Sequence, residues 1–150
     1  MSQGILPRKH FAVGRTIFRA GDPGDAAYVI ESGIVDIQRS VGGQQKSIAK
    51  LAAGEIFGEM ALIDGKRRMA DALAVTNVTV LIVPADQFTD KMRAADPFVR
   101  ALLRMFTENL RLMTRNALIA QTQNENLRAR LKELGADPGA EPAPGEAPRT

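Results

Sequence analysis

The chain has no cysteine, a single histidine and no long apolar run. Without cysteine there is no disulfide framework and no thiolate metal site, a composition that suits the cytoplasm. His10 lies in the polar opening segment MSQGILPRKH; a lone histidine argues against a jelly roll holding a metal on several converging imidazoles, no metal is expected, and His10 reads as a surface residue. The same segment lacks the apolar core of a signal peptide. No stretch approaches the roughly 20 apolar residues of a membrane helix, so a cytoplasmic chain with no membrane partner is expected. No nucleophile stands beside a base, so no enzyme activity is expected. The 150 residues leave room for one domain and an appendage, not for a second catalytic module.

What is present begins as short apolar alternations from Phe11 to Val83, broken by Gly, Asp and Pro, which is how an antiparallel all-β unit reads. Thr16 to Phe18 leads into the turn Gly21-Asp22-Pro23-Gly24-Asp25. Ala27–Glu31 and Ile34–Gln38 read as a hairpin about Ser32-Gly33, Ser47–Leu51 as a further strand, and Val78–Val83 as a β-branched strand ended by Pro84. Val35 and Ile37 share one strand face, as core or as an apolar wall. Ala70, Ala72 and Ala74 alternate with larger residues, either leaving space for a ligand or packing tightly.

The stretch GEMALIDGKRRMADA, Gly58 to Ala72, has the most specific chemistry. Gly58 allows a tight turn, and Glu59 to Asp64 is one or two helical turns stopped by Gly65. A helix N-terminus offers free N–H donors and partial positive charge, which suit a phosphate. Arg68, placed on the next strand, can grip phosphate oxygens with its planar fork. Glu59 would repel a phosphate but accepts well from a sugar hydroxyl. Each residue alone has a plainer reading, a solvated loop arginine between Lys66 and Arg67 or a carboxylate at a helix start. The nine-residue interval that joins Glu59 to Arg68 makes phosphate, sugar and apolar wall describe a nucleotide.

The pattern F-G-E-x-A-L-(x)5-R-x-A, formed by Phe57, Gly58, Glu59, Ala61, Leu62, Arg68 and Ala70, resembles the phosphate-binding cassette of cyclic-nucleotide-binding domains. Such domains occur in bacterial cyclic AMP receptor proteins, in regulatory subunits of cyclic AMP-dependent kinase and in gated channels. Phe18, Gly21, Asp22, Gly24, Asp25, Tyr28, Ile30 and Gly33 follow the family's first hairpins, and the resemblance covers about Phe11 to Phe106. It implies a mainly β fold with α: an antiparallel, jelly-roll-like β-roll with a short cassette helix and a long C-terminal helix. It also implies a cyclic-nucleotide site built from Phe57, Gly58, Glu59, Met60, Ala61, Arg68, Met69 and Ala70. Glu59 would take the ribose 2'-hydroxyl, Arg68 the exocyclic phosphate oxygens, and the N–H groups near Ala61 and Ala70 the rest. Met69 departs from the family's usual Ser, Thr or Ala; lacking a hydroxyl for a guanine amino group, it favours cyclic AMP over cyclic GMP.

After a short amphipathic helix over 85–94, Asp96-Pro97 is a strong helix entry. Leu103, Phe106, Leu110, Met113, Ala117, Ala120, Asn124, Leu127, Leu131 and Leu134 then recur at alternating steps of three and four, a heptad seam that ends before Gly135. From Pro97 to Leu134 the rod is roughly 55 Å long, more than the β-unit can cover. A coiled-coil homodimer is expected, with Asn124 at an a position setting register. A second stripe, Leu102, Met105, Leu112 and Ile119, is expected to pack on the chain's own β-roll. Thr114 falls about where the bacterial receptor proteins reach the adenine. Thr114, Arg115 and Asn116 are possible base contacts, and hydrogen bonding to the β-domain is equally open to them.

The expected organisation is a β-roll over 1–96 with the cassette at 57–72, a dimerising helix over 97–134 and a disordered tail over 135–150, rich in Pro, Gly, Ala and Glu. Because the sequence stops there, no DNA-reading domain is expected. Arg100, Arg104, Arg111 and Arg115 read as solvated charges on outer helix faces, and DNA is not expected as a partner. The leading expectation is a cyclic AMP sensor that signals to a separate protein through its C-terminal helix; the alternative is a dimeric scaffold that keeps the fold without nucleotide.

Overall fold

In the computed structural model, residues 6–135 are described. The expected tail therefore lies outside the described residues except for Gly135. Eight strands form two four-stranded antiparallel sheets. The first contains β1 (Arg8–Phe11), β8 (Val78–Pro84), β3 (Ala26–Ser32) and β6 (Ile56–Phe57), in that order. The second contains β2 (Thr16–Phe18), β7 (Asp71–Ala74), β4 (Val35–Val41) and β5 (Gln44–Leu51). The core lies between them: Tyr28, Ile30, Phe57, Val78 and Val80 come from the first sheet, and Val35, Ala72 and Ala74 from the second. Short alternating strands end up here because each has only one face to bury. Ala72 and Ala74 are fully buried in this core, so those alanines pack tightly.

Among the described residues there are also three helices: α1 (Glu59–Asp64), α2 (Ala85–Ala94) and α3 (Pro97–Glu133). Asp96 caps α3, its carboxylate accepting from the Phe98 N–H at 2.8 Å, with Pro97 in the first turn where no N–H is needed. The described fold is an antiparallel β-roll with a short cassette helix and a long C-terminal helix.

The packing of α3 corrects one expectation. Three of the four residues of the second stripe do not face the β-roll: Met105, Leu112 and Ile119 are exposed, and Leu102 is half-buried. The face turned inward carries Thr107, Arg111, Thr114, Leu118 and Thr122. Its hydroxyls are compatible with burial because Thr107 and Thr122 donate to the helix's own carbonyls, of Leu103 at 2.7 Å and Leu118 at 3.0 Å. Along the seam, Leu103 and Leu131 are half-buried, while Phe106, Leu110, Met113, Leu127 and Leu134 are exposed. His10 is an exposed residue of β1, with Nδ1 2.8 Å from Thr79 Oγ1.

Candidate functional site

A cavity of about 430 Å³ opens between the cassette, the second sheet and α3. Its cassette wall is Phe57 to Ala61 and Arg68 to Ala70, whereas Leu62 of the cassette pattern faces a neighbouring depression. Ile37, Ile48, Ala49 and Leu51 supply an apolar wall from β4 and β5, and Leu110, Arg111 and Thr114 close it from α3. This volume suits a small ligand with one polar end. Arg115 lines a neighbouring depression instead, and Asn116 is exposed and lines neither.

The cassette turn depends on glycine at two places. Gly58 has φ 79°, and a Cβ there would come 2.7 Å from Arg68 Nη1 and 3.3 Å from Phe18. At Gly24 a Cβ would sit 2.6 Å from that of Ala61, so glycine is what lets α1 approach the preceding loop.

Arg68 does not return on a strand; it lies in the loop before β7. The chain is fixed there by paired backbone bonds, Gly21 N–H to Arg68 O at 2.8 Å and Arg68 N–H to Asp22 O at 2.9 Å. The side chain runs inward and the residue is 4% exposed. Nη1 donates to Gly58 O and Nη2 to Ala26 O, each at 2.6 Å. Cζ lies 4.2 Å from the centre of the Phe18 ring, a cation–π contact. Among the described residues the carboxylate that comes within 4 Å of it is Asp25, 3.6 Å away with its side chain 86% exposed, where solvent screens the attraction. Nε is buried and has no hydrogen-bond partner among the described residues. Burial pulls the Arg68 pKa down, opposed by Tyr28, Asp25, Asp22 and Glu59, yet a guanidinium stays charged.

Glu59 opens α1 and is half-buried in the same wall. Burial raises its carboxyl pKa, while its own backbone N–H and the Arg68 charge pull the other way. The site thus joins a buried cation, a carboxylate on a helix start and an apolar wall.

Arg111 corrects the expectation that it is a solvated outer charge. Its Nε and Nη2 donate to Asp64 Oδ2 and Oδ1 at 2.5 and 3.1 Å, a bidentate pair that ties α3 to the end of α1. Sequence reasoning also missed Phe18, Ile48, Ala49 and Leu51 as cavity residues. The available signal for Arg111 was its place in the series Thr107, Arg111, Thr114 and Leu118, spaced four, three and four along one helix face.

A two-sheet roll with a glycine-turned cassette and a buried arginine beneath it is the arrangement of a nucleotide-binding class of domain. Residues 8–95 match the cyclic nucleotide-binding domain family, and the chain belongs to it. The cyclic AMP receptor protein of Thermus thermophilus is 34% identical over 112 residues, covering 74% of this chain and 52% of that protein. A cAMP-dependent protein kinase regulatory subunit of Aspergillus niger is 38% identical over 91 residues, covering 60% of this chain and 21% of the subunit. The chain therefore spans about half the first relative and a fifth of the second. The solved EAL enzyme Bd1971 in its cAMP-bound form is 32% identical with a TM-score of 0.71, over 86% of this chain and 34% of that one; its cGMP-bound form gives 34% and 0.68, over 85% and 34%. Among the described residues no helix is long and apolar enough to cross a membrane, and no cluster of metal-ligating side chains occurs.

Proposed function

We propose that this chain is a cyclic-nucleotide sensor, preferring cyclic AMP, that works as a homodimer and signals to a separate protein through α3. It has no catalytic role in this reading. The observation that carries it is Arg68: a buried cation whose Nε is unpartnered and whose one ion pair among the described residues is with a solvent-screened carboxylate, in the wall of a cavity that α3 helps to close. A cyclic phosphate supplies the missing anion. Glu59 accepts from the ribose hydroxyl, and the apolar wall with Thr114 receives the base, its hydroxyl serving as donor or acceptor. The exposed seam residues Phe106, Leu110 and Met113 suit a second copy of the helix. The organisation that follows is a ligand-binding roll, a dimerising helix and a tail.

The alternative reading, a scaffold that keeps the fold without ligand, is favoured by the two carbonyls that already occupy the Arg68 fork. Titration calorimetry with cyclic AMP and cyclic GMP tests both. Cyclic AMP binding supports the sensor, and silence toward both nucleotides supports the scaffold. Because Bd1971 was solved with either nucleotide, likeness alone does not set preference. Met69 does in this proposal: Met69→Thr narrows the difference between the two affinities, and a wild-type preference for cyclic GMP would overturn that part.

A further inference from the structure

The nucleotide cavity does not use the outer side of α3. Met105, Leu112 and Ile119 recur there every seven residues and are exposed, at c positions that a two-stranded seam through Leu110 and Met113 leaves uncovered. Next to this stripe a groove runs between α3 and the loop after α1, with Leu62, Met69 and Leu112 among its apolar residues and with Lys66 and Glu108 common to both ends. Arg39, Lys66, Arg104 and Arg115 line it, and none of them forms an ion pair among the described residues. Glu108 is the one carboxylate of the groove left to offset them, since Asp64 is taken by Arg111.

We propose that this groove and stripe are the docking surface for an acidic amphipathic helix of a partner protein. The proposal rests on the reading that the chain signals to a separate protein, and it names that partner's chemistry. A seven-residue apolar spacing matches a helix laid along α3, which is the helix-in-groove mode of recognition. Unpaired cations beside it call for carboxylates, which set register and exclude wrong partners. Nucleic acid fits less well, because it has no use for the apolar stripe and Glu108 would repel its phosphates. Met69 and Arg111 line both groove and cavity, so a nucleotide that shifts either one changes docking, and docking changes nucleotide affinity by the same factor.

The test uses the full chain and a fluorescein-labelled designed helix of about 21 residues, roughly 30 Å long, with Leu at a and d positions and Glu elsewhere. A Lys-for-Glu counterpart and a short DNA duplex serve as competing probes. Anisotropy is read with and without cyclic AMP. The acidic helix is expected to bind, the basic one to bind about tenfold more weakly or worse, and Arg104→Glu or Leu112→Asp to weaken the acidic helix by about tenfold. Equal binding of the two helices, indifference to both substitutions, or tighter binding of the duplex would overturn the proposal. So would a mass of the chain alone, by light scattering, that falls in Leu112→Asp, since a second copy would then cover the stripe. Calorimetry with cyclic AMP separates the levels: a wild type that binds the nucleotide but not the acidic helix refutes only the docking surface, a wild type that binds no nucleotide refutes the reading beneath it, and Arg104→Glu is expected to keep its nucleotide affinity while losing the helix.

Discussion

Arg68 and Arg111 both line the cavity, and the fold treats the two guanidiniums differently. Arg111 is met by the carboxylate of Asp64 in a bidentate pair whose side chains are 15% and 10% exposed. Its charge is neutralised, and its work is to hold α3 against α1. Arg68 is buried more deeply, yet it rests on two carbonyls and an aromatic face, with Asp25 at 3.6 Å in solvent and Nε bonded to nothing among the described residues. Burying a charge without a close counterion costs several kcal/mol in effect. A fold that keeps such a cation in a cavity wall, with a neutralised one nearby, leaves one guanidinium without a close counter-anion while the other clamps two helices.

Substitution of the two arginines sharpens the contrast, and the largest effect is expected at Arg68. Arg68→Ala should cost at least about 2 kcal/mol of cyclic AMP binding, because a charge-assisted pair is lost. Contrary to what a surface loop position would imply, it should also lower stability by about 1–3 kcal/mol, since the carbonyls of Gly58 and Ala26 lose their donors. Calorimetry and thermal unfolding measure the two separately. Unchanged affinity in a folded variant would remove Arg68 from the site.

Asp64→Asn tests the other side. It keeps the shape and removes the charge opposite Arg111, so unfolding free energy should fall by about 1–2 kcal/mol while cyclic AMP affinity falls less than in Arg68→Ala. Hydrogen exchange in the first half of α3 should rise, as the clamp to α1 loosens. A binding loss as large as that of Arg68→Ala would mean that both arginines serve the ligand.

The roll and its cassette were legible because period-two alternation, turn glycines and a fixed Glu59 to Arg68 interval are local signals. The inward face of α3 was not. Its Thr107, Thr114 and Thr122 look like surface residues, and it is the hydrogen bonds to preceding carbonyls that make Thr107 and Thr122 fit a packed face. The apolar stripe of Leu112 and Ile119 drew the expectation to the wrong side, because hydrophobicity outweighs small β-branched residues in any helical pattern. Arg111 was hidden for a similar reason: its partner Asp64 lies 47 residues away, and no spacing rule connects a helix position to the end of another helix.

The seam separates the two halves of α3. Met113 is 66% exposed and lies outside the cavity, whereas Leu110 is part of its wall. Met113→Asp should therefore yield a weaker dimer, and any change in its cyclic AMP affinity reports coupling through the helix, not lost ligand contact. Leu127→Asp should also loosen the dimer, with a smaller change in affinity because it is about 20 Å further along the helix. Light scattering gives the mass and calorimetry the affinity. A wild type that is monomeric at tens of micromolar, or monomeric variants that bind like the wild type, would make α3 a passive attachment.

The smallest expected effect sets the carboxylate of the cassette against its cation. Burial raises the Glu59 pKa above its ordinary value of 4.5, so the folded chain holds that proton more tightly than the unfolded chain does. Stability from this group is then fully present below the ordinary value and is lost as pH rises through the folded pKa. Glu59→Gln removes the titration. Without nucleotide, the melting temperatures of wild type and Glu59→Gln should converge below the ordinary carboxyl pKa and separate above it in favour of Gln, the gap becoming constant once the pH has passed the folded pKa. With cyclic AMP the order should reverse, because an ionised carboxylate accepts the ribose hydroxyl more strongly than an amide does, by about 1 kcal/mol. Two melting curves that run parallel across the whole range would show that Glu59 is not desolvated. A reversal that fails to occur with ligand would leave Arg68 as the cassette's one polar determinant.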